Sequence, residues 1–112
     1  MEIFKFGGAS VKDAAGVKNV LEVLKTVGHE NVLLVISAMG KTTNALEIVI
    51  KNYFDKSNEL YASLQDIRKY HNQILLDLFE DEEHEVFFDI NAHFDDLEYF
   101  VRSNKSPNYP FV

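Results

Sequence analysis

The fold is decided near the start of the chain by the segment at residues 2–11, EIFKFGGASV. Its apolar part, Ile3 to Phe6, is short and predicts a buried β-strand. The paired glycines Gly7 and Gly8 then predict a tight turn. Ser10 can begin a helix, because Asp13 follows three residues later in the arrangement of a capping box. The segment therefore predicts a strand, a turn and a helix in immediate succession.

This order of elements is typical of a phosphate-binding turn. Two glycines allow the backbone to approach an anion closely, since neither residue carries a Cβ. The free N–H groups at a helix start point toward the same place, with the positive end of the helix dipole behind them. Lys5 would add a point charge for phosphoryl oxygens. On these residues alone, an ordinary turn between a strand and a helix remains an alternative, with Lys5 as a surface lysine at the strand end.

Length and composition limit the classes of protein that the chain can belong to. It has 112 residues, 46% apolar and 26% charged, which is typical of one soluble globular domain or of part of one. The net charge of −7 and the dispersed Lys and Arg residues argue against nucleic-acid binding. No cysteine is present, which excludes disulfides and thiolate metal sites. We expect a cytoplasmic protein without a membrane partner, because no apolar run is long enough to span a bilayer and no secretory signal precedes the strand.

A strand, a helix and a second strand follow one another in the first third of the chain. Apolar residues recur at helical spacing between Lys12 and Val27, and Gly28 is suited to end this helix. Gly16 weakens the helix by about 1 kcal/mol relative to Ala. The run VLLVI at residues 32–36 has no alternation and predicts a strand buried on both faces. Together these elements predict one βαβ unit with parallel strands and a right-handed crossover.

A second polar loop, Ser37 to Asn44, follows the second strand and leads into a helix from about Thr43 to Phe54. Ligands of open α/β sheets bind beyond the carboxyl ends of the strands. Both polar loops lie at such ends of adjacent strands, so we expect them to converge. This convergence favours the phosphate site over the ordinary turn.

The second half of the chain predicts a hairpin of two long amphipathic helices, with a charged, solvated tip at Glu80 to Glu85. The expected organisation is a βαβα cradle at residues 1–54, the helical hairpin at residues 55–102 and an exit loop at residues 103–112. Two strands do not make a stable parallel sheet, so the sequence resembles the beginning of a larger fold. The expected core faces of the hairpin are Leu60, Leu64, Ile67, His71, Ile74 and Leu78, and Val86, Ile90, Phe94, Leu97 and Val101. The aromatic residues Phe87, Phe88, Phe94, Tyr99 and Phe100 are expected to be mostly core, with any exposed excess serving a subunit contact.

Two ordered motifs resemble those of aspartate kinases. The segment KFGGASV at residues 5–11 is similar to the family signature Lys-Phe-Gly-Gly-(Thr/Ser)-Ser-Val. The segment VISAMGKTTN at residues 35–44 is similar to the second motif, Val-Ser-Ala-Met-Gly-x-x-Thr-Asn. The resemblance implies a three-layer α/β/α amino-acid kinase fold, related to carbamate kinase, of which this chain would be the N-terminal part. The remaining catalytic domain, including a Gly-Glu motif and the adenine pocket, and the regulatory ACT domains would lie beyond Val112, and the chain alone would be inactive.

The implied reaction is transfer of the ATP γ-phosphate to the side-chain carboxylate of L-aspartate, which gives 4-phospho-L-aspartate in lysine, threonine, methionine and isoleucine biosynthesis. ATP would arrive with Mg²⁺, and the full-length protein would be a homo-oligomer. Carried over by motif, the phosphate-binding residues would be Lys5, which is also catalytic, Gly7, Gly8, Ala9 and Ser10. The substrate-binding residues would be Ser37, Ala38 and Thr43. Ala9 departs from the usual Thr or Ser, but its backbone N–H remains, so we expect tuning rather than loss of function.

Several alternatives stay open at this point. Thr43, Thr42 or Asn44 could simply cap the next helix, and Ser10 would be a cap under either interpretation. The histidines at positions 29, 71, 84 and 93 do not have metal-ligand spacing, and His71 is expected to pack in the core, so no metal site is predicted. A sibling kinase acting on acetylglutamate, glutamate or a nucleoside monophosphate shares the glycine turn, although Phe6 and the Ser-Ala-Met-Gly loop argue against it. A non-catalytic interaction module built on the hairpin is the alternative of a different class.

Overall fold

A computed structural model describes residues 1–28, 30–81 and 83–103, in two compact units. The first comprises residues 1–43 and the second begins at Asn44. The elements in chain order are β1 (Glu2–Phe6), a 3₁₀ turn (Gly8–Val11), α1 (Ala14–Val27), β2 (Val32–Ile36), α2 (Thr42–Phe54), α3 (Leu60–Phe79) and α4 (Glu85–Ser103). The structure is mostly helical with a small parallel sheet, which is compatible with the predicted α/β class.

The sheet of the first unit consists of β1 and β2, which run parallel in a register from Glu2 opposite Val32 to Phe6 opposite Ile36. The predicted parallel pairing is therefore confirmed. The prediction that β1 is a buried strand is wrong for this chain, because Ile3 is 65% exposed and no residue of β1 is fully buried. Burial instead alternates, with Phe4 and Phe6 half-buried and Lys5 between them exposed. This period of two is the pattern of a strand with one covered face.

The prediction that β2 is buried on both faces is wrong for this chain. Leu33 is 48% exposed and Ile36 is 54% exposed, although they lie on opposite faces of the strand. Burying both faces of a strand requires a packed layer on each side. The described residues of the first unit do not supply two such layers, so an apolar run suited to a sheet interior remains accessible to solvent.

The predicted start of α1 also needs correction. The helix begins at Ala14 rather than Lys12, and Asp13 is its cap, because the Asp13 carboxylate accepts a hydrogen bond of 2.8 Å from the Gly16 N–H. Ser10 lies instead inside the 3₁₀ turn, where its own N–H donates to the Gly7 carbonyl at 3.0 Å. Asp13 has the extended backbone that a cap requires, with φ −154° and ψ 178°, whereas the turn commits Ser10 to a different conformation.

Gly16 has a packing role that helix propensity alone does not predict. A Cβ at this position would clash with the carbonyl oxygen of Ser10. The glycine thus allows α1 to lie directly against the 3₁₀ turn that precedes it. At the other end, Gly28 has φ +89° and follows the last helical residue, so its predicted role in ending α1 is confirmed.

The second unit is built on helix packing. The predicted hairpin is confirmed, with α3 and α4 in contact and Glu80 ending α3 in the left-handed conformation. α2, which the sequence grouped with the cradle, contributes Val49 to the same buried cluster as Leu64 and Ile67 of α3. Partly buried residues around this cluster are Ala45, Leu46, Leu60, Phe94, Leu97 and Val101. Most of the predicted core positions of the hairpin therefore pack as expected.

Two aromatic residues of α4 depart from the predicted core. Phe88 is 67% exposed and Tyr99 is 73% exposed, because helical spacing places both outside the stripe that contacts α3. His71 is packed as predicted, with Nδ1 2.9 Å from the Ile67 carbonyl oxygen and its ring edge-to-face with Phe94. Ser103 belongs to α4 rather than to a loop. The rest of the predicted exit loop, like His29 and Glu82, lies outside the described residues.

Candidate functional site

The two polar loops of the first unit meet at the carboxyl ends of β1 and β2. The Ser37 N–H donates to the Phe6 carbonyl at 3.0 Å, and the Gly40 N–H donates to the Gly8 carbonyl at 3.0 Å. These bonds extend the pairing of the strands into the loops that follow them. The predicted convergence of the two loops is therefore confirmed.

The paired glycines have different structural roles. A Cβ on Gly8 would lie 2.5 Å from the Gly40 carbonyl oxygen and 3.1 Å from the Ala38 carbonyl oxygen. A Cβ on Gly7 would meet no atom within 4 Å. Gly8 is thus required by the contact between the loops, whereas Gly7 borders open space into which an anion can approach the backbone.

Backbone donors are available in this turn. Within the described parts of the chain, the N–H groups of Gly8 and Ala9 have no hydrogen-bond acceptor, whereas the Ser10 N–H donates to the Gly7 carbonyl oxygen. Two successive unpaired N–H groups form a concavity suited to an anion. The prediction that a helix dipole adds to this anion-binding turn is wrong. The helix α1 begins only at Ala14, and Asp13 already caps its first turn.

Lys5 lies opposite Val35 in the sheet, two residues before Gly7. Its side chain is exposed and belongs to the face of β1 opposite Phe4 and Phe6. It makes no ion pair or hydrogen bond with the residues that the structure describes. The ammonium group is therefore free to pair with an anionic ligand.

The second loop presents three residues that the sequence assigned to the substrate. Ser37, Ala38 and Thr43 are all exposed. Thr42 is the buried threonine, and its hydroxyl donates to the Met39 carbonyl at 2.5 Å. The Thr42 hydroxyl donates in this bond, so the bond is not the helix cap that the sequence left open among Thr42, Thr43 and Asn44. Thr43 keeps a hydroxyl with no partner in the described ranges.

Sequence reasoning missed Gly40. Its φ of +56° lies in the left-handed region, and its N–H makes the bond that ties the second loop to Gly8. A glycine among small and polar residues after a strand is the signal that could have identified this position. Gly8 and Gly40 together fix the separation of the two loops.

The residues that the structure describes contain no group of three or more His, Asp or Glu side chains placed to hold a metal ion. None of the described helices is both long enough and apolar enough to cross a membrane.

The comparisons with known proteins agree with the motifs. Aspartokinase 1, chloroplastic, of Arabidopsis thaliana is 48% identical over 44 residues, which is 39% of this chain and 8% of the relative. A bifunctional aspartokinase/homoserine dehydrogenase 2, chloroplastic, of the same plant is 28% identical over 78 residues, 70% of this chain and 8% of the relative. The corresponding bifunctional protein of Daucus carota is 27% identical over 81 residues, 72% of this chain and 9% of the relative.

The resemblance to aspartate kinases is thereby confirmed over short segments, and the chain spans less than a tenth of the length of these relatives. The names of the relatives indicate a kinase family and support a phosphotransferase relationship in general. No protein-family model matches the chain. No solved structure shows significant similarity to it.

Proposed function

We propose that residues 1–43 form the phosphate-binding part of an aspartate kinase, which transfers the ATP γ-phosphate to the side-chain carboxylate of L-aspartate. The observation that carries this proposal is the hydrogen-bonded contact of the two motif loops at the carboxyl ends of β1 and β2. It is supported by the similarity to relatives that are named aspartokinases.

The proposed phosphate contacts use groups that the turn leaves available. Phosphoryl oxygens accept hydrogen bonds from the N–H groups of Gly8 and Ala9, and Gly7 leaves space for their approach. Lys5 neutralises part of the phosphate charge, and the exposed Ser10 hydroxyl adds a donor. The methyl group of Ala9 does not remove the backbone donor, so the substitution of the usual Thr or Ser leaves the main contact intact.

The proposed reaction needs little side-chain chemistry from the protein. The side-chain carboxyl of aspartate has a reference pKa of about 3.9, so it is an ionised nucleophile at neutral pH and requires no general base. Phosphoryl transfer then depends on positioning and on stabilising charge on the migrating group. Mg²⁺ bound to ATP would supply further charge neutralisation.

The acceptor side is assigned to Ser37, Ala38 and Thr43 of the second loop. These residues follow β2 directly or begin α2, and all three are exposed. The names of the relatives favour aspartate as the acceptor over acetylglutamate, glutamate or a nucleoside monophosphate. The remaining proposals are a homo-oligomeric full-length enzyme and a cytoplasmic location, although the relatives are named as chloroplastic.

The decisive experiment is Lys5→Ala in an aspartokinase polypeptide that carries this segment. We expect kcat to fall at least about a hundredfold, because the ammonium stabilises charge that develops in the transition state. Lys18→Ala is the matched control, since Lys18 is also exposed but lies on α1 away from the turn, and it should leave kcat unchanged. Near-normal turnover of the Lys5 variant would contradict the proposed role.

A second experiment separates the kinase from the non-catalytic module. Aspartyl phosphate is trapped with hydroxylamine after incubation with Mg·ATP and L-aspartate. The 112-residue chain alone should form no hydroxamate, whereas the longer polypeptide should form it readily. Product from the short chain would contradict its expected inactivity, and no product from either would favour the interaction module.

A further inference from the structure

Lys41 lies in the second polar loop, between two residues whose backbone is held in place by hydrogen bonds. On one side, the Gly40 N–H donates to the Gly8 carbonyl at 3.0 Å. On the other side, the Thr42 N–H donates to the Met39 carbonyl at 3.0 Å, and Thr42 is buried. The backbone of Lys41 is therefore fixed at the contact between the two motif loops.

This contact places Lys41 directly beside the glycine turn. The Gly40 carbonyl carbon lies 3.5 Å from the position that a Cβ on Gly8 would occupy, and this carbon is bonded to the Lys41 nitrogen. Consecutive Cα atoms are about 3.8 Å apart, so the Lys41 Cα lies one residue from the closest approach of the two loops. A lysine side chain is a flexible four-carbon stem, which can bring its ammonium group to an anion held by the N–H groups of Gly8 and Ala9.

The Lys41 ammonium group is available to such an anion. The side chain is exposed, and it makes no ion pair or hydrogen bond within the part of the chain that the structure describes. Lys25, by contrast, lies 3.6 Å from the Glu22 carboxylate on α1. Lys5, which is also exposed, precedes the glycine turn on β1. An anion at the turn would therefore meet an exposed lysine from each of the two motifs.

The acidic residues next to the sheet lie at its amino end. Glu2 begins β1, and its N–H donates to the Asn31 carbonyl at 3.1 Å, so Glu30 lies at the same end. A strand rises about 3.3 Å per residue, so Phe6 at the carboxyl end of β1 is about 13 Å from Glu2. This separation exceeds the Debye length of about 8 Å at physiological ionic strength. The two carboxylates therefore have little effect on the charge that a ligand meets where the loops converge.

The carboxyl end of the sheet has the opposite sign. Three lysines lie at the end of β1, directly after the 3₁₀ turn and in the second loop, and they are Lys5, Lys12 and Lys41. Asp13 follows this turn, and its carboxylate accepts the 2.8 Å hydrogen bond from the Gly16 N–H. The excess of positive charge at this end favours an anionic ligand.

We propose that Lys41 is a second phosphate-binding lysine, which pairs with the γ-phosphoryl group of ATP from the acceptor side while Lys5 pairs with it from the donor side. This inference rests on the proposed kinase function, in which the glycine turn holds the donor and the second loop holds the acceptor. The γ-phosphoryl group must then pass between the two loops toward a carboxylate. A cation on the acceptor side offsets the repulsion between these two anions as they approach.

The test adds inorganic tripolyphosphate to the ¹⁵N-labelled 112-residue chain and follows amide chemical shifts. Shift changes at Gly8 and Ala9 give the Kd. Lys41→Gln should raise the Kd about fivefold, a loss of about 1 kcal/mol, because it removes one ion pair with the phosphate. Lys41→Arg keeps the charge and should stay within about twofold of the unsubstituted chain. Lys18→Gln is the matched control, since Lys18 is exposed on α1 outside the loops, and it should change the Kd less than about twofold.

The outcomes separate the role of Lys41 from the phosphate site itself. Equal effects of Lys41→Gln and Lys18→Gln, or of Lys41→Gln and Lys41→Arg, would overturn the role of Lys41 and leave the site in place. Absence of any shift change at Gly8 and Ala9 in the unsubstituted chain would overturn the site and this inference with it. L-aspartate is the second probe. If Lys41→Gln weakens only the response to L-aspartate, Lys41 binds the acceptor carboxylate and the proposal is overturned.

Discussion

Residues 1–43 and residues 44–103 differ in charge and in how they bury apolar side chains. The first segment contains five Lys and four acidic residues, so it carries a net charge of +1, whereas the second carries −9. In the first, β2 exposes four apolar residues in succession. In the second, three helices share one buried cluster around Val49, Leu64 and Ile67.

This difference shows that the recognisable motifs and the buried apolar cluster lie in different parts of this chain. Both motif loops belong to the segment in which β2 lacks cover on either face. The helical segment has no motif, yet its three helices bury a shared apolar cluster. Three pairs of substitutions and one single substitution can break or sharpen this contrast.

The largest expected effect is in the helical core. Leu64→Ala should destabilise the chain by about 3 kcal/mol, because Leu64 is 3% exposed and its removal leaves a cavity. Leu33→Ala should cost less than about 1 kcal/mol, since that side chain is already half exposed. Urea denaturation followed by circular dichroism measures both. Equal costs would show that β2 is covered in solution.

The next effect separates the two glycines of the turn. Gly8→Ala should destabilise the first unit by about 2 kcal/mol, because its Cβ meets backbone atoms of Gly40 and Ala38 that have little room to move. Gly7→Ala should change stability by less than about 0.5 kcal/mol, as its φ of −77° suits alanine and its surroundings are open. Hydrogen exchange of β1 amides reports the local stability. A tolerated Gly8→Ala would refute the loop contact.

A smaller effect tests the cap of α1. Asp13→Ala should cost about 1 kcal/mol through loss of the hydrogen bond to the Gly16 N–H. Ser10→Ala should cost no more than about 0.3 kcal/mol, because Ser10 does not cap this helix. Hydrogen exchange at the first turn of α1 distinguishes the two. A larger loss for Ser10→Ala would restore the cap that the sequence predicted.

The smallest effect tests the sign of a helix substitution. Helix propensity alone predicts that Gly16→Ala stabilises α1 by about 1 kcal/mol. We expect a net destabilisation of about 0.5 kcal/mol instead, because the new Cβ clashes with the Ser10 carbonyl. Thermal unfolding measures the sign, and a raised Tm would show that the turn moves aside at little cost.

Much of the fold followed from local pattern. The bounds of β2 and the break between α3 and α4 agree with the structure, because apolar periodicity and turn residues act over a few positions. The start of α1 was harder to predict. Ser10 and Asp13 are both good caps, and the choice between them depends on the 3₁₀ turn that includes Ser10. The different roles of Gly7 and Gly8 were also inaccessible, because they arise from a loop thirty residues away.

By itself, the sequence determined the order of elements and the two motifs, because each depends on residues close together in the chain. It also determined the parallel pairing of the two strands, because a strand, a helix and a second strand in succession form a βαβ unit. Only the tertiary structure decided which glycine holds the loops together, which threonine is buried and which aromatic residues of α4 remain exposed. These outcomes depend on which backbone atoms and helix faces approach one another, and that approach is set by packing across the fold rather than by the neighbours of each residue in sequence.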